Sequence, residues 1–171
     1  RDNMQNSILV AYATKHGATA EIAERTAAVL EKHGFSVDLK SADTVQDVSV
    51  YQAVVIGSAV YMGQWRRSAV KLVRKHQDAL AQKPVWIFSS GPTNHGDVQD
   101  LMEGWTQPNN LKEVFEIIKP REIAVFHGEL DPATLNGLEK WIINKVKAPT
   151  GDFRDWELIE SWAAQIADAL Q

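Results

Sequence analysis

Ile8-Leu9-Val10-Ala11-Tyr12-Ala13-Thr14-Lys15-His16-Gly17-Ala18-Thr19 is the stretch from which the rest of the chain is read. It opens as a short apolar run with no polar face, the pattern of a strand covered on both sides. It then turns polar at Thr14 and passes through a glycine. From Ala18 to His33 the residues Ile22, Ala23, Thr26, Val29 and Leu30 recur at helical spacing, which predicts a helix. Gly34 is its stop signal. A buried strand, a tight glycine turn and a helix in sequence form the opening unit of a layered α/β domain.

Outward from this unit the alternation repeats. Phe35-Ser36-Val37-Asp38-Leu39 alternates as a half-exposed strand does. Ala53-Val54-Val55-Ile56-Gly57 is apolar throughout, and Trp65 to Leu80 carries Val70, Val73 and Leu80 on one helical side. Pro84 to Ser89 and Glu122 to Phe126 read as further strands. Asp155 to Leu170 reads as the closing helix, with Trp156, Ile159, Trp162, Ala163 and Ile166 at helical spacing. The expected architecture is a doubly wound α/β fold, a five-stranded parallel sheet with helices on both faces. One domain over residues 1–171 is expected, with 1–6 as a flexible N-terminus and 131–151 as an insertion after the fifth strand. Leu138, Trp141, Ile142 and Val146 predict a short amphipathic helix inside that insertion.

Composition narrows the chemistry. The 171 residues include no cysteine, which removes disulfides, thiolate metal sites, iron–sulfur clusters and a cysteine nucleophile together. The formal net charge of −4 speaks against a general nucleic-acid binder, which is expected to be basic. No apolar run approaches the roughly 18 residues a membrane-spanning helix needs, and a cytoplasmic location is expected. No spacing among the five histidines makes a metal site.

In open parallel sheets ligands bind beyond the carboxyl ends of the strands, so three loops carry the interest. The first is Thr14-Lys15-His16-Gly17-Ala18-Thr19. Hydroxyls at both ends and free amides at a helix start suit a phosphate; an ordinary N-cap explains the same residues. The Gly-Lys-Ser/Thr ending of a nucleoside-triphosphate loop is missing. The second is Gly57-Ser58-Ala59-Val60-Tyr61-Met62-Gly63-Gln64-Trp65, whose aromatics suit a planar ligand or simply cover the base of the next helix. The third is Ser89-Ser90-Gly91-Pro92-Thr93-Asn94-His95-Gly96-Asp97, which can offer amides and hydroxyls to a heterocycle or serve as a solvated turn. The helix after the second loop carries Arg66, Arg67, Lys71, Arg74 and Lys75 against Asp78, a local charge of +4.

Together the three loops resemble the flavodoxin superfamily, and within it the flavodoxin-domain family that includes menaquinone-dependent protoporphyrinogen IX dehydrogenases. The matching pieces are Thr14-x-x-Gly17-x-Thr19-x-Glu21-Ile22-Ala23 and Val55-Ile56-Gly57-Ser58-Ala59-Val60 with Gly63 after it. The insertion after Ala124-Val125-Phe126-His127-Gly128 and the closing Asp155-Trp156-Glu157 match as well. His16 stands where the family usually has a hydroxyl residue, and Lys15 and His16 can supply positive charge instead.

The resemblance implies a strand order of 2-1-3-4-5 and a bound FMN, with a deazaflavin fitting the same loop. It puts the phosphate on Thr14, Lys15, His16, Gly17, Ala18 and Thr19. It puts the ring between Ser58, Ala59, Val60, Tyr61, Met62 and Gly63 on one side and Ser90, Gly91, Pro92, Thr93, His95, Gly96 and Asp97 on the other. Trp65, Arg66 and Arg67 are the expected substrate residues, and no side chain is needed as a general acid or base. The implied activity is a flavin-dependent dehydrogenase passing electrons to a quinone, at the inner face of the membrane. A flavodoxin-type carrier, serving a redox protein, is the competing reading. Between Asp131 and Arg154 the charge is only +1, which departs from the basic insertion of the dehydrogenases.

Overall fold

The structure is a computed structural model; it describes residues 6–14, 17–61, 64–91, 108, 111–126, 129–130, 151–152, 154 and 156–171. Its centre is a parallel sheet of β1 (Ser7–Ala13), β2 (Ser36–Ser41), β3 (Ala53–Tyr61), β5 (Val85–Ser90) and β6 (Glu122–Phe126) in the order β2-β1-β3-β5-β6. Counted over these parallel strands, this is the expected order 2-1-3-4-5. A sixth strand, β4 (Gln64–Trp65), pairs antiparallel with the end of β3.

Side chains alternate between two cores because successive strand residues face opposite sides. Leu9, Ala11 and Ala13 face one core; Ile8 and Val10 face the other. The first core is covered by α2 (Arg67–Lys75), α3 (Gln77–Leu80) and α4 (Lys112–Ile118). The second is covered by α1 (Ala18–Lys32) and α5 (Trp156–Leu170), through Ile22, Ala23, Ala27 and Leu30 against Ile159, Trp162, Ile166 and Ala167. Helix α1 ends as its sequence predicts. The N–H of Gly34 bonds the carbonyl of Glu31 at 3.0 Å and that of Phe35 the carbonyl of Leu30 at 3.3 Å, closing the last turn.

Three features depart from the sequence reading. Trp65 lies in β4 rather than opening the following helix, which begins at Arg67. Val60 and Tyr61 pair with Trp65 and Gln64, so the β-branched and aromatic residues of the second loop satisfy their backbone as a hairpin. Helix α4 is an addition. Leu111, Val114, Phe115 and Ile118 stand at i, i+3, i+4 and i+7 and are all buried, a helical signal the sequence carried plainly. Finally, the crossover from β2 to β3 has no α-helix, only a 3-10 turn at Ala42–Thr44. Buried Val45, Val48 and Tyr51 hold it to the body, and the Lys83 ammonium donates to the carbonyls of Val48 at 2.6 Å and Tyr51 at 2.8 Å. The expected helix at 138–146 lies outside the described residues, but the segment's base shows β7 (Glu129–Leu130) paired antiparallel with β8 (Gly151–Asp152).

His76 interrupts the helical run between α2 and α3 at φ −109°, and its Nε2 is buried with no hydrogen-bond partner among the described residues. Burial pushes its pKa below the ordinary 6.5; Lys75 pushes the same way and Asp47 opposes. The unfolded chain therefore binds a proton at His76 before the folded one does. The stability His76 contributes is complete above about pH 6.5 and is lost as pH falls below it. Urea titrations at pH 7.5 and 5.5 should show a smaller fall for His76→Gln than for the unchanged protein; equal falls would exclude His76 as a source.

Candidate functional site

The register brings the three loops to one edge. Ala13 of β1 is level with Ser58 of β3, and Ser58 with Ser89 of β5; the next rung joins Ala59, Ser90 and Phe126. The turn after β1, the hairpin after β3 and the turn after β5 therefore leave neighbouring points of the sheet, at the strands' carboxyl ends.

The first turn is built around Gly17. Its φ of 94° lies in the left-handed region, which glycine reaches without a Cβ penalty. Thr14 Oγ1 accepts the N–H of Gly17 at 2.9 Å, closing the turn onto its own hydroxyl. As N-cap, Gly17 gives α1 no side-chain hydrogen bond. A helix leaves its first amides without intrahelical partners, and here the cap supplies none. Amides so presented suit an oxyanion, and the Thr14 hydroxyl still has its proton to donate. The residues present thus fit a phosphate. Thr19 is buried within the first turn of α1. Lys15 and His16 lie outside the described residues.

The second loop divides into groups with different work. The Ser58 hydroxyl is buried; it donates to the Ala59 carbonyl and accepts the N–H of Arg66, each at 2.9 Å. It ties the end of β3 to the start of α2, so its side chain is committed within the protein. Trp65 is only 5% exposed. Its indole N–H donates to Ser89 Oγ at 2.8 Å, and its ring meets Phe115 edge-on at 5.7 Å. This places the ring in the core behind the hairpin. Of the expected substrate residues, Arg66 is partly exposed and Arg67 exposed. Ala59 and Val60 are partly exposed, and the backbone of Tyr61 pairs with Gln64; Met62 and Gly63 lie outside the described residues.

Gly57 makes room for a neighbouring core side chain. An added Cβ would stand 2.0 Å from Phe88 Cζ. The flat ring that glycine admits at this point is Phe88, a core residue of the adjacent strand. In the third loop Ser90 is buried, and the N–H of Gly91 bonds the carbonyl of Phe126 at 3.1 Å. Pro92, Thr93, His95, Gly96 and Asp97 lie outside the described residues.

Two features go beyond the sequence reading. The first is where the charge of α2 sits along the helix. Arg66 is its N-cap and Arg67 its first residue, and no acidic residue stands in its first turn. Cations at this positively polarised end oppose the helix dipole, at a cost of roughly 0.3–1 kcal/mol each. The second is Arg154, which reaches α1 from the far end of the chain and bonds the Ala18 carbonyl at 3.2 Å and Glu21 at 3.0 Å.

Comparison with known proteins agrees with this geometry. The protoporphyrinogen IX dehydrogenase (quinone) of Escherichia coli strain K12 is 22% identical over 173 residues, covering 93% of this chain and 93% of that protein. A flavodoxin of Streptococcus pneumonia TIGR4 superposes with a TM-score of 0.60 at 16% identity, covering 95% of this chain and 99% of that one. A flavodiiron core from Synechocystis sp. PCC6803 gives 0.65 at 15% identity over 98% of this chain; this chain covers 36% of that one. A family model described as a flavodoxin domain matches residues 9–157. With the strand order and the open first turn of α1, that match places the chain in the flavodoxin-domain family, whose members are flavin (FMN) proteins.

Proposed function

We propose that this protein is an FMN-dependent oxidoreductase that dehydrogenates a carboxylate-bearing porphyrinogen, with protoporphyrinogen IX as the leading substrate, and passes the electrons to a quinone. The observation that carries the reading is the start of α2. Arg66 and Arg67 sit beside the proposed ring site at a helix end that is already positive, with no acidic residue in that helix's first turn. That arrangement weakens the helix and favours an anionic partner, and guanidinium forks match carboxylates. The similarity to the Escherichia coli dehydrogenases runs the length of both proteins and supports the same substrate class.

The flavin, when bound, supplies the redox chemistry; the chain supplies placement and charge. The amides at the start of α1 and the Thr14 hydroxyl would hold the phosphate, of FMN or of a deazaflavin. The hairpin at 58–65, braced from behind by Trp65, would frame the ring. Arg66 and Arg67 would orient propionates. Among the described residues no helix is long and apolar enough to cross a membrane, and a quinone acceptor implies contact at the membrane surface.

The test separates this reading from a flavodoxin-type carrier. Purified protein should be yellow and release FMN on denaturation. Reduced anaerobically by protoporphyrinogen IX, its flavin should be reoxidised rapidly by a quinone and slowly by an oxidised ferredoxin. Reduction by a reductase and fast exchange with ferredoxin alone would instead make it a carrier. A colourless protein that takes up no FMN would overturn both.

A further inference from the structure

The Asp155-Trp156-Glu157 feature has no part in the site as described, yet the structure ties its neighbourhood to the phosphate turn. The Trp156 ring is flanked by two guanidinium groups, Arg25 at 4.5 Å and Arg154 at 4.6 Å from its centroid. Arg25 comes from α1 and pairs with Glu160 of α5 at 2.7 Å. The Arg154 side chain is 4% exposed. A charge so buried needs partners, and it finds them on the first turn of α1, the Ala18 carbonyl and the Glu21 carboxylate. These residues stand three apart, so one guanidinium spans the turn whose amides face the proposed phosphate.

From this we infer that Arg154 is a positioning residue for the cofactor phosphate, holding the first turn of α1 in its anion-receiving geometry. The inference rests on the FMN reading above. Gly17 is left-handed and gives the helix no side-chain cap; the Thr14 hydroxyl ties the Gly17 N–H but does not reach the helix turn itself among the described residues. Arg154 braces it from outside. The body of α1 does not depend on this contact, because Ile22, Ala23, Ala27 and Leu30 already pack in the core shared with α5. Arg154 also compensates Glu21. Without it, an uncompensated carboxylate stands one helical turn from a phosphate dianion, and the repulsion falls on the phosphate alone.

The test uses the full chain, stripped of flavin, with FMN and riboflavin as probes and flavin fluorescence as the readout. Arg154→Met keeps the apolar stem and removes the charge. It is expected to weaken FMN about tenfold and riboflavin less than about twofold. Arg154→Lys keeps the charge without the fork and should fall between the unchanged protein and Arg154→Met in its preference for FMN. A merely structural role would move both ligands together, so equal weakening, or none, overturns the inference. If Arg154→Met does not fold, the same comparison on Arg154→Lys decides it. An unchanged protein that binds no FMN overturns the function proposed above instead.

Discussion

Gly57→Ala should cost about 3 kcal/mol of stability and lower Tm by roughly 10 °C. The new methyl carbon would lie 2.0, 2.1 and 2.4 Å from three carbons of the Phe88 ring, well inside van der Waals contact. The ring has little room to retreat. It is fully buried, and Phe126 and Trp162 each stand 5.9 Å from it and 5.3 Å from one another. Trp162 is anchored in turn by its indole N–H on Glu122 at 2.6 Å. Relief must come from separating β3 from β5 one rung below Ser58 and Ser89, so the hairpin and the third loop should be displaced along with the loss of stability.

A double-mutant cycle tests the cause. Phe88→Leu removes the ring carbons that clash, at the price of a smaller core side chain. Combined with Gly57→Ala it should lose about 1–2 kcal/mol less than the sum of the single changes. Midpoints and slopes from urea unfolding give both numbers. Strict additivity would show that the Phe88 contact is not why glycine is needed.

The second large effect is expected at the basic helix. Arg67→Glu combined with Lys71→Glu shifts the local charge at α2 by four units. Both residues are exposed, and a glutamate at the first helical position is favoured by the dipole, so folding should persist. Under the proposed function, kcat/KM for a porphyrinogen should fall by at least about tenfold at low salt, within the range of electrostatic steering. The difference should shrink as salt shortens the screening length from about 10 Å at 0.1 M to about 3 Å at 1 M. Oxidation of the reduced flavin by an uncharged quinone should not change, which separates a substrate effect from damage to the cofactor site. An unchanged porphyrinogen rate at all salt concentrations would leave α2 as a solvated face.

Much of the architecture is written in local periodicity. Fully apolar strands at 53–57 and 85–88 announce a sheet covered on both faces, and the spacing of Ile22, Ala23, Thr26 and Leu30 announces the helix that covers it. Since ligands gather at strand carboxyl ends, the three candidate loops followed from the same pattern. The helix at 112–118 was equally legible, because its apolar spacing is as regular as that of α1. The hairpin was less so. Val60, Tyr61 and Trp65 favour strand, but a two-residue strand has too few positions to show alternation.

What the sequence determined by itself is the order of buried and exposed positions along each element, and with it the fold and the sheet edge where the three candidate loops meet. Periodicity reports which face is buried but not what that face meets. Only the tertiary structure decided that Gly57 makes room for Phe88, that Trp65 is spent on Ser89 and Phe115, and that Arg154 crosses 136 residues of chain to Ala18. Each of these contacts joins elements or segments far apart in the chain. Partners so distant in the chain leave no mark on the local pattern of either one.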